Sequence, residues 1–302
     1  MARANLQIKT GTYTGTGSAL AITDVGFEPQ VVIVKGGSNH AVFRVKQNRG
    51  DSTCYLATNT ANLTGGITGF TNSGFNVGTD ATVNANGTGY FYFAMSGADA
   101  QQNFRTFYYR GTGADNRNIT TTGINFTPDF VHVKQDGANV APSYIIDQTG
   151  DNSLHLLGSA VAANEIQGVT SNGFQVGTST RANGLDTDYY GFALKKLSKI
   201  VTTGTFTGTG AAQTIDIGFK PDWVILENVN AATAALIKTS DMATTTSHVV
   251  NNFASVTTGI TSFVTNGFTV GTLAAANGST NTLYYIAGRT GTFNGTVTRT
   301  AS

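Results

Sequence analysis

Four histidines, one cysteine and seventeen carboxylates are the side chains of this 302-residue chain that could do acid–base, nucleophilic or metal chemistry. His40, His132, His155 and His248 share no common position, and no two have the His-x-x-x-His spacing of a metal pair. Cys54 stands alone, which excludes a zinc knuckle and an intramolecular disulfide. There is no Gly-x-Ser-x-Gly elbow, no Walker loop and no dinucleotide fingerprint. No catalytic residue, cofactor site or metal site is therefore expected.

The carboxylates offer more. Asp51, Asp151 and Asp241 fall at comparable places, after Arg49-Gly50, Thr149-Gly150 and Thr239-Ser240. They read as turn residues that cap their own backbone, or else as a role played three times. Asp186 and Asp188 carry oxygens suited to Ca²⁺, but no bidentate Glu stands at a useful offset, so a solvated loop is expected. Paired acids for glycoside hydrolysis have no motif here. Tyr90, Tyr92, Phe107, Tyr108, Tyr109, Tyr189, Tyr190, Tyr284 and Tyr285 could form a sugar-binding platform, although alternation along a strand turns half of each run inward. Arg44, Lys46 and Arg49 form one local basic cluster and Lys195, Lys196 and Lys199 another, both expected to face solvent or a partner.

What must position these residues is written three times. Gly26-Phe27-Glu28-Pro29-Gln30-Val31-Val32 returns as Asn125-Phe126-Thr127-Pro128-Asp129-Phe130-Val131 and as Gly218-Phe219-Lys220-Pro221-Asp222-Trp223-Val224. Downstream of each comes a second motif, Gly74-Phe75-Asn76-Val77-Gly78-Thr79, then Gly173-Phe174-Gln175-Val176-Gly177-Thr178, then Gly267-Phe268-Thr269-Val270-Gly271-Thr272. The proline-to-glycine separations are 45, 45 and 46 residues, so the chain divides into repeats at 1–99, 100–198 and 199–302. Each is the size of a small domain.

Short Val/Ile/Phe/Tyr runs bounded by Gly, Asn and Thr predict strands throughout, with no amphipathic helix. In repeat 1 they fall at 8–14, 19–23, 30–35, 41–46, 53–57, 68–70, 74–77 and 89–95. The fold class expected is all-β, with antiparallel, jelly-roll-like β-sandwich modules. Proline should mark the entrance of a core strand. Ser73-Gly74, Asn172-Gly173 and Asn266-Gly267 read as tight turns exploiting glycine at positive φ. Asn86-Gly87, Asn183-Gly184 and Asn277-Gly278 read as equivalent turns before a Tyr-rich closing strand. A fourth copy of the opening strand, Thr290 to Thr296, is expected to complete repeat 3 or to cover an edge of repeat 1. The joints at 96–103 and 195–199 are short, which implies packed rather than loosely strung modules.

Charged residues are only 12% of the chain and the net charge is +1. The repeats carry 6, 7 and 5 basic against 5, 8 and 4 acidic residues, so none has the excess that nucleic-acid binding requires. Residues 1–10 lack a signal-peptide core and no run approaches a membrane span, so a protein made in a reducing cytoplasm, with no membrane or nucleic-acid partner, is expected.

Together, the Gly-Phe-x-Pro-x-x-Val strand, the Asn-Gly-Phe-x-Val-Gly hairpin and the Asn-Gly turn before a Tyr-rich strand resemble a repeat of virion structural proteins of tailed bacteriophages. The resemblance spans about residues 7–297 and rests on Phe27, Pro29, Gly74, Phe75, Phe126, Pro128, Gly173, Phe174, Phe219, Pro221, Gly267 and Phe268. Repeat 2 departs from it at Asn125 and in its opening strand. It implies a non-enzymatic protein on the exterior of a virion assembled in the host cytoplasm. Without heptads or a shaft, three repeats suggest a pseudo-threefold knob, which suits a capsid decoration or cement protein bound to the major capsid protein or other virion proteins. A tail-associated adhesin, tail-fibre-like in host attachment to a surface glycan, is the alternative, and a glycan hydrolase the third reading.

Overall fold

The computed structural model describes residues 6–97, 103–120, 122–137, 140–158, 161–231 and 233–293. Repeat 1 contributes β1 (Leu6–Thr14), β2 (Leu20–Ile22), β3 (Val31–Gly36), β4 (Val42–Val45), β5 (Cys54–Tyr55), β6 (Ile67–Thr71), β7 (Gly74–Val77), the single turn α1 (Ala81–Asn84) and β8 (Gly89–Ser96). Repeat 2 contributes β9 (Phe104–Arg110), β10 (Arg117–Ile119), β11 (Phe130–Gln135), β12 (Ser143–Ile146), β13 (Ile166–Thr170), β14 (Gly173–Val176), α2 (Thr180–Asn183) and β15 (Asp188–Leu194). Repeat 3 contributes β16 (Val201–Thr207), β17 (Gln213–Asp216), β18 (Trp223–Asn228), β19 (Leu236–Thr239), β20 (His248–Val249), β21 (Ile260–Val264), β22 (Gly267–Val270), α3 (Ala274–Asn277), β23 (Thr282–Gly288) and β24 (Gly291–Phe293).

All pairings are antiparallel. The larger sheets run β24-β1-β8-β3-β4-β5, β12-β11-β15-β9 and β16-β23-β18-β19-β20, each paired with a three-stranded sheet, β2-β7-β6, β10-β14-β13 or β17-β22-β21. The fold is all-β, as the strand-and-turn pattern predicts. In repeat 1, first pairs with last, second with seventh and fourth with fifth, the nested pairings of a jelly roll. It departs where β3 joins β4 and β6 joins β7.

Alternation along the strand after each proline explains its unbroken apolar run. Val32 and Val34 pack against Phe75 and Val77 of the smaller sheet, while Val31 and Ile33 point the other way. Phe130 and Trp223 do as Val31 does, and the three join one cluster with Phe43, Leu56, Tyr144, Leu156, Phe192, Ile237 and Ile286. Strands buried on both faces read as continuous hydrophobic runs, and here the second face is covered by the other two repeats.

Several motifs act differently from their sequence reading. Gly74, Gly173 and Gly267 are the first strand residues, and the turns are the two residues before them. Glycine is required there because a Cβ would lie 1.9, 2.1 and 1.8 Å from the carbonyl oxygens of Ile22, Ile119 and Ile215. Pro29, Pro128 and Pro221 are buried two residues ahead of their strands. The residue after each proline is a clamp: Gln30, Asp129 and Asp222 accept the backbone N–H of Gly97, Lys196 and Thr290, at 3.1, 2.7 and 2.8 Å, just beyond the closing strand.

The Asn-Gly equivalence shifts by two residues in repeat 1. Asn84, not Asn86, occupies the place of Asn183 and Asn277; all three are fully buried and end the short helices that periodicity does not reveal. Each accepts the N–H of Thr16, Thr112 or Thr209 on Oδ1 and donates Nδ2 to two carbonyls, Ser18 and Gly78, Ala114 and Gly177, or Ala211 and Gly271. One amide thus ties the opening loop to the hairpin exit.

The last described strand covers an edge of repeat 1: β24 pairs with β1, Leu6 opposite Phe293 and Ile8 opposite Gly291. Residues 294–302, the rest of the predicted terminal strand, and 98–102 of the first joint lie outside the described residues. Deleting residues 290–302 is expected to lower the melting temperature by a few degrees, corresponding to about 1–2 kcal/mol; unchanged solubility and melting would refute a stabilising role for β24.

Candidate functional site

The three seams between repeats hold several of the buried polar groups, among them His132, Lys35 and Glu227. Around the centre, Leu56 N–H donates to Ala41 O at 2.9 Å, Ala41 N–H to Val250 O at 2.7 Å, Val250 N–H to Ala235 O at 2.9 Å and Ala235 N–H to Leu156 O at 2.9 Å. This ladder steps from repeat 1 through repeat 3 to repeat 2. By strand register, the residue of repeat 2 matching Ala41 and Ala235 is Pro142, which has no N–H to give. His132 stands where the other repeats have Ile33 and Ile225, and its Nε2 lies 3.4 Å from Leu56 O. Burial pushes its pKa down to about 4, which keeps the ring neutral with Nε2 as the donor. The chain's fourth proline and its most buried histidine are therefore one feature.

A second seam position is charged. Lys35 and Lys134 are buried, and burial lowers each to about 8. Lys35 Nζ donates to the carbonyls of Gly37 and Asn39 in repeat 1 and to Asn251 and Phe253 of repeat 3 at 3.2 and 3.4 Å. The register puts Glu227 at this place in repeat 3. It is 1% exposed, neither carboxyl oxygen makes a hydrogen bond of good geometry among the described residues, and burial, opposed only in part by the nearby Gly158 backbone N–H, raises its pKa well above the usual carboxylate value. A raised folded pKa favours the folded state most below the unfolded pKa, and that advantage is lost as pH climbs toward the folded value. Glu227→Gln is therefore expected to stabilise the protein at pH 7–8 by about 1 kcal/mol or more. It should also flatten the decline in melting temperature from pH 4 upward; thermal melts of both proteins across that range check it.

The seam between repeats 1 and 2 also carries Arg49, whose guanidinium sits 4.9 Å from the Tyr108 ring centroid and 3.3 Å from Asp188. Asp188 further accepts from Tyr108 at 2.8 Å and from Arg110 at 3.4 Å, and Arg110 pairs with Asp186 at 3.3 Å. These carboxylates are engaged by cations rather than arranged for Ca²⁺. Among the described residues, no group of three His, Cys, Asp or Glu could hold a metal.

The other candidates disperse. Asp51 accepts Gly65 N–H at 2.8 Å, a contact to a loop 14 residues on and not the cap of its own turn that the sequence suggests, while Asp151 and Asp241 are exposed on separate repeats. Arg44 is not part of a surface cluster: it is buried and donates to the carbonyls of Ser52 and Gly50, each at 2.6 Å. Lys46 pairs with Glu28 at 3.0 Å. No sugar platform forms from the tyrosine runs, because Tyr90, Tyr92, Tyr109, Tyr189, Tyr190 and Tyr285 are buried; Tyr108 and Tyr284 are half-buried.

One constellation was not foreseen. In repeat 2, Glu165 Oε2 accepts from Ser143 Oγ at 2.5 Å and from His155 Nε2 at 2.7 Å, and Arg181 lies 3.4 Å from Oε1. Serine and histidine both bind the acid and not each other, so the geometry lacks the nucleophile–base contact of acyl transfer. Ser143 replaces Val42 and Leu236 of the other repeats, and Glu165 replaces Gly66 and Gly259, so a polar knot stands where they pack aliphatic groups. Those two exchanges, serine for an aliphatic residue and glutamate for glycine, are its signs in the sequence. A cavity of about 20 Å³ at the central junction, lined by His132, Tyr144, Leu156 and Ile225, has room for little more than a water molecule.

No protein-family model, curated protein or solved structure matches the chain.

Proposed function

We propose that this chain is a non-enzymatic structural protein of a tailed-bacteriophage virion, seated on the outer head surface as a decoration or cement protein in contact with the major capsid protein. The observation that carries this reading is the closure of three repeats around one shared core, with every repeat touching the other two. Such a body presents three comparable faces from one polypeptide, the shape a local threefold position on a lattice accepts. Its near-neutral surface suits broad hydrogen-bonded contacts, and its buried polar groups serve cohesion.

A tail-associated adhesin is the second reading, favoured by Leu185 and Phe253, which stand 71% and 60% exposed on loops. An electron cryomicroscopy reconstruction of the particle that copurifies with the chain tests both. Density on the shell against coat protein supports decoration. Density at the tail tip replaces it with the adhesin, and absence from the particle overturns both.

A further inference from the structure

Arg44 and Lys238 fill one seat in repeats 1 and 3, and repeat 2 leaves that seat open. Strand pairing sets Arg44 against Val32, Lys238 against Val224 and Ile145 against Val131, so the residue of repeat 2 at this place is aliphatic. In repeat 1 the loop before β5 folds over the cation, and Arg44 donates to Gly50 O and Ser52 O at 2.6 Å each. In repeat 3 the loop before β20 does the same for Lys238, whose Nζ donates to Ala243 O at 2.9 Å and Thr246 O at 2.6 Å. The ring of Phe263 lies 5.8 Å from that Nζ, and the register puts Phe70 at its place in repeat 1 but Val169 in repeat 2. Where the other repeats have a long cation and a phenylalanine, repeat 2 has a groove of about 340 Å³ between Ile145 and Val169.

The walls of the groove keep what the cation needs. Thr53, Ser153 and Ser247 make the same isolated bridge in each repeat, and counting back two residues gives Asp51, Asp151 and Thr245. Asp51 serves Arg44: burial lowers the pKa of the guanidinium, and the Asp51 carboxylate opposes that shift. Asp151 lines the groove with no hydrogen bond or ion pair among the described residues, and its Oδ1 lies 3.6 Å from the place that a Cβ on Gly168 would take. Gly150 O and Asn152 O, the counterparts of the two carbonyls that hold Arg44, also have no donor among the described residues. Gln167, a further lining residue, holds its Oε1 buried without a hydrogen-bond partner among them. The lysine seat of repeat 3 has threonine where the arginine seat has aspartate, so the acid goes with a guanidinium.

We propose that this groove is a binding site for the guanidinium of an arginine side chain presented by a partner protein, seated as Arg44 is seated in repeat 1. An aliphatic stem suits Ile145, and the planar fork of a guanidinium engages a carboxylate and carbonyl oxygens together. With Asp151 exposed and Val169 38% exposed, the groove is too shallow to enclose a free small molecule, whereas a side chain anchored by its own protein does not need enclosing. The site follows from the three repeats alone and holds whether or not the chain belongs to a virion.

Amide chemical shifts of the full chain during titration with Nα-acetyl-L-arginine amide test the site. Gly150, Asp151 and Gly168 should shift together and saturate, with half-saturation on the order of a few millimolar. Nα-acetyl-L-lysine amide should need several-fold more, and Nα-acetyl-L-norleucine amide should leave the three unmoved. Asp151→Asn should weaken the arginine titration about three- to tenfold. Filling the seat from within gives an independent readout: Ile145→Arg should abolish the titration and melt at least about 6 °C above Ile145→Glu, because only one sign of charge suits the seat. No saturable shift with the arginine amide, or equal shifts with norleucine, overturns the site, as does an Ile145→Glu variant that melts at or above Ile145→Arg. Half-saturation below about 10 μM would make the groove a small-molecule site and overturn its assignment to a partner's side chain.

Discussion

Changing Asn84 to aspartate, a substitution of one atom, is expected to destabilise the protein by about 2–4 kcal/mol, because it removes two donors and sets a buried carboxylate against two carbonyls, that of Gly78 buried and that of Ser18 nearer the surface. Asn84 is fully buried, and its Nδ2 reaches Ser18 O and Gly78 O at 2.6 Å each while Oδ1 accepts Thr16 N–H at 2.8 Å. Asn86→Asp, two residues away in the exposed turn, is expected to change stability by less than about 0.5 kcal/mol. Urea denaturation of the two variants separates the readings sharply: equal midpoints would mean that the buried amide is not the tie between the opening loop and the hairpin exit.

The second large effect concerns the centre. His132→Ala should cost about 3–5 kcal/mol, combining a cavity among aromatic rings with a carbonyl left bare. Its ring stacks on Phe192 with centroids 5.3 Å apart and meets Phe43 edge-on at 5.0 Å. His132→Ile, the residue the other repeats use, fills most of the space and should cost about 1–3 kcal/mol for the orphaned Leu56 oxygen alone. Adding Pro142→Ala supplies the missing N–H, so the double variant should recover most of that loss. The cycle of the two single variants and the double variant measures the coupling; strictly additive effects would show that proline and histidine are unrelated.

Much of this architecture is legible in the chain. Repeat spacing and the strand-and-turn pattern give an all-β reading, and all eight strands expected in repeat 1 are present within two residues of their predicted ends. Local signals sufficed because Pro29 and the glycine-led hairpins act on their own neighbourhoods. What was hidden depends on partners distant in sequence. Gly74 reads as a turn residue until Ile22 O is seen against it, and Asn84 carries no signal of its own until Thr16, 68 residues earlier, supplies its donor. The tyrosine runs could not be assigned to core or surface from alternation alone, because the larger sheets bury both faces. Arg44 sits in a run that reads as a solvated basic cluster, but the loop from Asn48 to Ser52 folds over it and offers its carbonyls. The Ser143, His155 and Glu165 knot has no periodic or spacing signature.

Lys35, Lys134 and Glu227 occupy one seat in three repeats, and the two cations and one acid there have a consequence for how such a chain diverges. In an assembly of identical subunits, every substitution appears at all copies of a seat at once, so an acid opposite one loop would also face the other two. A fused chain is released from that constraint. Near α3, Asn228 donates to Ala274 O at 2.6 Å, the service that Tyr90 and Tyr189 perform for Ala81 and Thr180 in the other repeats, and Leu283 stands where those tyrosines are. Tyr90 in turn demands Gly36, since a Cβ there would lie 2.2 Å from its ring. The three repeats fill this pair of seats in three ways, Gly36 with Tyr90, Gln135 with Tyr189 and Asn228 with Leu283. Asymmetry of this kind is open to a single polypeptide and closed to an assembly of identical subunits.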